Sequence, residues 1–268
     1  MQSVRPAAVA GMFYPGNPVD LAHDVDAMLA QAVAVAPNLQ PKALIAPHAG
    51  YIYSGAVAAS AYGLLKPIAQ RIRRVVLLGP THRVAVRGLA LPGVTCFSTP
   101  LGSVTIDADA VRQIASLPQV SISPQAHALE HSLEVHLPFL QTLLPEFKVL
   151  PLAVGMASPE DVAEVLETLW GGAETLIIIS SDLSHYLPYD LARKVDGETT
   201  QAILELRQPI SHQQACGGTP VNGLILMALR HNLTPHLLDL RNSGDTAGDR
   251  DRVVGYGAFA FTEQAAHA

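Results

Sequence analysis

The chain has 268 residues, 49% hydrophobic and 15% charged, with a formal charge of −6. This composition supports a globular protein with a sizeable core and argues against a disordered chain. With no basic stripe, only two cysteines, no N-terminal signal-peptide pattern and no apolar run that spans a bilayer, the expectation is a soluble cytoplasmic protein that binds neither nucleic acid nor membrane.

Asn17-Pro18 reads as a helix cap with proline in the first turn, and Leu21, Val25, Met28, Leu29 and Val33 recur at helical spacing, which predicts a helix over 18–35. Residues 43–46 form a short buried strand, 54–65 a small-residue helix packed on the sheet, and 74–79 a second strand. Pro92, Gly93, Pro100 and Gly102 divide 88–106 into short β-like runs. Asp107 caps a helix to 116, and 133–144 is helical with Pro138 near its start or at a kink. A strand over 148–154 leads through Ser158-Pro159 into a helix ending at 169. Residues 175–180, with three consecutive isoleucines, make the clearest buried strand. Helices over 189–206 and 220–231 precede a closing strand over 253–261. This alternation predicts an α/β fold: a single three-layer α/β/α domain over 1–268.

Three histidines, His48, His82 and His185, each follow a strand. In an open parallel sheet, ligands gather beyond the carboxyl ends of the strands, so three imidazoles there point to one metal-binding site. Each histidine alone reads more simply as a loop residue bonded to backbone; their shared position favours the site. If the turn at Ser181-Asp182 enters a helix, Asp182 and His185 share a face, and the carboxylate orients the imidazole and raises its pKa. Alternatively, Asp182 is only a cap. Glu130-His-Ser-Leu-Glu-Val-His136 is not a His-Glu-x-x-His motif, and a solvated helix competes with a functional reading. Its apolar neighbours favour Glu130 and His131 as pocket members. Cys216 precedes two glycines and a helix start, a setting that lowers a thiol pKa and lets backbone approach a ligand closely; the plain alternative is a small buried cysteine. Cys96 fits that alternative better. Tyr51, Tyr53 and Tyr186 are candidates for a substrate wall, although tyrosines near turns are more often packing residues. The polar segment 242–252 is either a lid or a surface loop.

Together, Arg5-Pro-Ala, Gly11-Met-Phe-Tyr-Pro15, Ala46-Pro-His-Ala-Gly-Tyr51, Gly79-Pro-Thr-His82, Glu130-His-Ser-Leu-Glu-Val-His-Leu-Pro-Phe-Leu140, Ser181-Asp-Leu-Ser-His-Tyr186 and Cys216-Gly resemble the MEMO family, called AmmeMemoRadiSam system protein B in prokaryotes. The family is similar in fold to class III extradiol dioxygenases. The resemblance implies a central, mostly parallel mixed sheet and one site for one transition metal. His48, His82 and Cys216 would be its ligands, with Asp182 and His185 in the same pocket and His185 as the acid/base. The dioxygenases use two histidines and a carboxylate for Fe(II). A cysteine in third place leaves copper or zinc beside Fe(II). The prokaryotic name also implies association with an AMMECR1-like protein and a radical SAM protein.

Three readings follow. The first is a metal-dependent redox enzyme, possessing a dioxygenase-like site and acting on a small molecule or peptide, in which Asp182 sets the tautomer of His185. The second is a non-catalytic adaptor that holds a peptide or protein in the same cleft. The third is a metal-dependent hydrolase, for which Glu130 supplies a base but no familiar spacing is present.

Overall fold

The computed structural model describes residues 3–32 and 39–263; positions 33–35 of the predicted first helix lie outside them. In chain order the elements are β1 (Val4–Arg5), α1 (Pro18–Gln31), β2 (Pro41–Ala46), α2 (Tyr51–Tyr62), β3 (Arg74–Pro80), β4 (Leu89–Leu91), β5 (Cys96–Thr99) and β6 (Gly102–Thr105). There follow α3 (Ala108–Ile114), β7 (Val120–Ile122), α4 (Pro124–Ala128), α5 (Leu137–Leu143), β8 (Lys148–Val154), α6 (Pro159–Thr168) and β9 (Thr175–Ser180). The chain then forms β10 (His185–Leu187), α7 (Tyr189–Leu204), α8 (Gly218–Arg230), β11 (Leu233–Asn242) and β12 (Val253–Glu263). No helix among the described residues is long and apolar enough to cross a membrane.

The main sheet runs β10-β12-β2-β9-β3-β8-β4-β7, with β11 paired to β12; β1, β5 and β6 form a separate small sheet. Its centre, β2-β9-β3-β8, is parallel, whereas β12 on β2 and β4 on β8 are antiparallel. The fold is therefore α/β with a mostly parallel mixed sheet flanked by helices. Parallel strands covered on both faces read as continuous apolar runs, and alternate residues serve opposite layers. Leu176 and Ile178 join the core under α1, α2 and α5, while Ile177 and Ile179 join the core under α6 and α8.

Local chemistry sets the element ends. Asn17 accepts from the Val19 and Asp20 amides, and Ser158 with Asp161 forms a capping box. The segment predicted as one helix over 133–144 divides into a 3₁₀ turn, Glu134–His136, and α5, with Pro138 in the first turn of α5. Proline is tolerated there because its missing N–H has no helical partner at that position.

The position of β9 builds the site. It lies between β2 and β3, with Ala46 beside Ser180 and Leu78 beside Ile179. The chain segments leaving the carboxyl ends of these three strands are consequently neighbours, although they come from residues 47–50, 81–83 and 181–185.

Candidate metal centre and its cleft

His48 is buried just beyond β2. Its Nδ1 lies 2.6 Å from Ser180 Oγ. That hydroxyl donates its single proton to the Ser132 carbonyl at 2.6 Å, so it accepts from His48. The proton of His48 is thus on Nδ1, and Nε2 keeps its lone pair. Burial, then the neighbouring histidines, hold the His48 pKa well below 6.5, which favours this neutral form.

His82 follows the same logic with a different partner. Its Nδ1 is 2.9 Å from Glu130 Oε1, and its backbone N–H donates to Glu130 Oε2 at 2.6 Å. A carboxylate only accepts, so His82 also carries its proton on Nδ1 and leaves Nε2 free. Burial would raise the Glu130 pKa, but the hydrogen bonds it accepts from His82 and from the Ser132 backbone hold it at about 2. Glu130 therefore sits behind His82 as its orienting group.

His131 completes the cluster. Its ring stacks on His82 at 4.6 Å, and Nδ1 lies 3.4 Å from Glu130 Oε1. One potential ligand atom from each of His48, His82 and His131 lies within 4.8 Å of the others. Burial lowers the His131 pKa to about 4. Cys216 Sγ is 3.4 Å from His48 Nε2 and accepts from the Asp182 amide at 3.3 Å. The donor set of three imidazoles and a thiol suits a transition metal.

The thiol itself departs from expectation. Its pKa is pushed up to about 12, by burial first and then by Asp182; the predicted lowering at a helix start is overridden. The following glycine also has another purpose than predicted. A Cβ on Gly217 would lie 2.6 Å from the Ser180 carbonyl, so glycine lets the start of α8 press against the end of β9 and deliver Cys216.

Asp182 is buried, and burial raises its pKa to about 7. Its Oδ1 accepts from the His48 backbone N–H at 2.7 Å. It does not set the tautomer of His185: residues 182–184 are not helical, and His185 Nδ1 donates to the Leu183 carbonyl at 2.9 Å. His185 Nε2 is thereby left as the proton-accepting nitrogen.

A cleft of about 1430 Å³ reaches His48, His82, His131, Asp182, His185 and Cys216. Tyr53, Tyr186 and Tyr256 are on its walls, and the segment after β11 contributes Ser243, Asp249 and Arg252. Tyr186 is exposed at the rim, with the Arg252 guanidinium 5.1 Å from its ring centre. Tyr51 lies elsewhere: it is buried, donates to the Val135 carbonyl at 2.7 Å, and borders a smaller groove beside α1. Cys96 is buried in β5.

Several contributors were not singled out from sequence. Phe13 packs on His131 at 4.7 Å and lines the cleft. Ser180 fixes the His48 tautomer, and His212 lines the cleft beside Cys216. The strand-end position of Ser180 was the available signal; the motif around Phe13 identified a segment without revealing its place.

The family model described as Memo-like protein matches residues 5–260. A MEMO1 family protein of Archaeoglobus fulgidus is 36% identical over 275 residues, covering 96% of this chain and 99% of the relative. One from Aquifex aeolicus is 36% identical over 270 residues, with the same two coverages. An uncharacterized protein of Escherichia coli K12 of solved structure aligns with a TM-score of 0.48 and 13% identity, over 80% of this chain and 98% of that one. With a family match over nearly its whole length and relatives at this identity, the chain belongs to the Memo family.

Proposed function

We propose that this protein is a metal-dependent redox protein with a dioxygenase-like centre, in which His48, His82 and Cys216 hold one transition metal, Fe(II) as the primary candidate. The observation that carries this reading is the cluster of His48, His82 and His131 with Cys216 Sγ 3.4 Å from His48 Nε2, where Ser180 and Glu130 accept from the Nδ1–H of His48 and His82 and leave both Nε2 atoms free. A metal here would supply Lewis acidity and one-electron chemistry to a substrate in the cleft. His185, with Nδ1 engaged by Leu183, takes or returns a proton through Nε2. Asp182 positions the His48 backbone. His131 borders the centre and stands as the alternative third ligand.

Metal analysis of anaerobically purified protein tests the reading, with about one transition metal per chain expected for a site of three protein ligands. His48→Ala should abolish loading. Loss in Cys216→Ala with retention in His131→Ala supports the thiolate set; the reverse pattern supports three imidazoles. Metal content unchanged in His48→Ala and Cys216→Ala refutes the site. Spectroscopy of the loaded protein distinguishes iron from copper and zinc. O₂ consumption with candidate substrates tests the redox role.

The adaptor reading keeps one observation in its favour: at about 1430 Å³ the cleft exceeds the usual small-molecule pocket of about 300–1,000 Å³. Partner affinity unchanged in His48→Ala would favour it.

A further inference from the structure

The candidate centre is approached from two sides. A second pocket, of about 380 Å³, shares His82, His212 and Cys216 with the main cleft. Its other walls come from Pro80, Thr81, Ala85, Val86 and the 154–156 segment. Pro80 and Val154 are register partners at the ends of β3 and β8, so this pocket lies two strand junctions along the sheet from the β2/β9 junction that carries His48 and Asp182. His82 stands between the two spaces.

Their chemistry differs. Asp182, Glu198, Asp249 and Arg252 line the main cleft, whereas among the described residues no Asp, Glu, Lys or Arg lines the second pocket. The second pocket is also held in shape by backbone. Met156 N–H donates to the Val86 carbonyl at 2.8 Å, Gly155 N–H to Gly88 at 3.0 Å, and Gly88 N–H to Met156 at 2.8 Å. A side chain at Gly155 would collide with the Val86 carbonyl, so glycine is what lets these walls meet.

We propose that the second pocket is a separate entry for a small uncharged co-substrate, which reaches the centre while a larger substrate occupies the main cleft. Walls that are mostly apolar, with Thr81, His82 and His212 as the polar exceptions, accept such a molecule and offer a charged one no counter-ion. The identity of the co-substrate as O₂ rests on the redox reading above; the existence of the second entry does not.

The test uses Cys216, which borders both spaces, in the full-length metal-free chain. Methyl methanethiosulfonate is small and neutral; its 2-sulfonatoethyl analogue has the same reacting group and a negative charge. In both, the thiolate attacks the sulfenyl sulfur, a mixed disulfide forms, and methanesulfinate leaves. Mass spectrometry of the Cys216 peptide gives the rate. Ala85→Phe or, as a second variant, Met156→Trp fills the pocket, and Leu191→Trp narrows the main cleft. Because exchange rates follow access at a constant thiol, pocket filling should slow the neutral reagent about fivefold or more, and Leu191→Trp should chiefly slow the charged one. An unchanged neutral-reagent rate in both folded pocket variants, or equal slowing of both reagents by Leu191→Trp alone, overturns the proposal. The rate of nitric oxide binding to the metal-loaded protein gives a second readout, expected to slow in Ala85→Phe. Failure to load metal would refute the redox reading and leave the labelling result standing.

Discussion

Glu134 offers the sharpest test of how the amino-terminal segment is held. Its side chain is fully buried and accepts from four donors: the Arg5 guanidinium, the Tyr14 hydroxyl, and the Ala8 and Val9 amides, the last two at 2.8 and 3.0 Å. Arg5, also buried, donates in addition to the carbonyls of His127 at 2.9 Å and Glu130 at 2.6 Å. Glu134→Gln keeps the shape but removes the charge and turns an NH₂ toward the Ala8 or the Val9 amide, which can only donate. Breaking one side of a buried ion pair costs about 3–5 kcal/mol, because the other charge stays buried without compensation. Each amide left without an acceptor adds about 1–3 kcal/mol unless the segment releases into water. Urea unfolding should therefore show a loss of about 3–5 kcal/mol, and hydrogen exchange should show Ala8 and Val9 losing protection. Arg5→Met combined with Glu134→Gln should be less destabilised than the two single variants summed, since no orphan charge remains. A loss below about 1 kcal/mol with both amides still protected would refute this account.

Acid sensitivity should come from buried neutral histidines. Burial lowers the pKa of His127 and His131 to about 4 and of His136 to about 3, so between pH 6.5 and 4 the unfolded chain binds protons that the fold refuses. Their contribution is complete above 6.5 and declines as pH falls through that window, which a urea series at pH 7, 6, 5 and 4 would measure. Asp182 has the opposite sign: its pKa rises from 3.8 to about 7, so its stabilisation is complete below 3.8 and lost as pH rises through 7. In metal-free protein, wild type should lose stability relative to Asp182→Asn across that range, by on the order of 4 kcal/mol; parallel curves would contradict the assignment. Gly255→Ala should act on His185 at a distance. A Cβ there meets the Asp196 carboxylate, which accepts from the Ser184 amide at 2.9 Å. The expected result is a shifted His185 titration by NMR, with an unshifted one counting against this coupling.

Strands buried on both faces were the most legible elements. β8 and β9 have the bounds expected from sequence, 148–154 and 175–180, because each is built around a buried apolar run, 149–154 and 176–179. β11 escaped detection because it pairs on one side only, carries Pro235 and alternates irregularly in burial. β10 is three residues long and defined by its pairing with β12, which no local pattern announces. Strand-end position was enough to flag His48, His82 and His185 as neighbours. It was not enough to reveal that His131 stacks on His82, that Leu183 rather than Asp182 engages His185, or that burial outweighs the helix start at Cys216. Those facts depend on groups far apart in the chain and on a local dielectric that exists only after folding.

The insertion of β9 between β2 and β3 also governs when the centre comes into being. Cys216 and His48 are 168 positions apart, and His82 and Glu130 are 48 apart. No short stretch of the nascent chain offers a preformed chelate, so a metal would be captured late, after the long-range strand pairings have closed. Once captured, it would act as a cross-link among distant segments. Its binding free energy would then appear as resistance to unfolding, concentrated at the strand ends that it ties together.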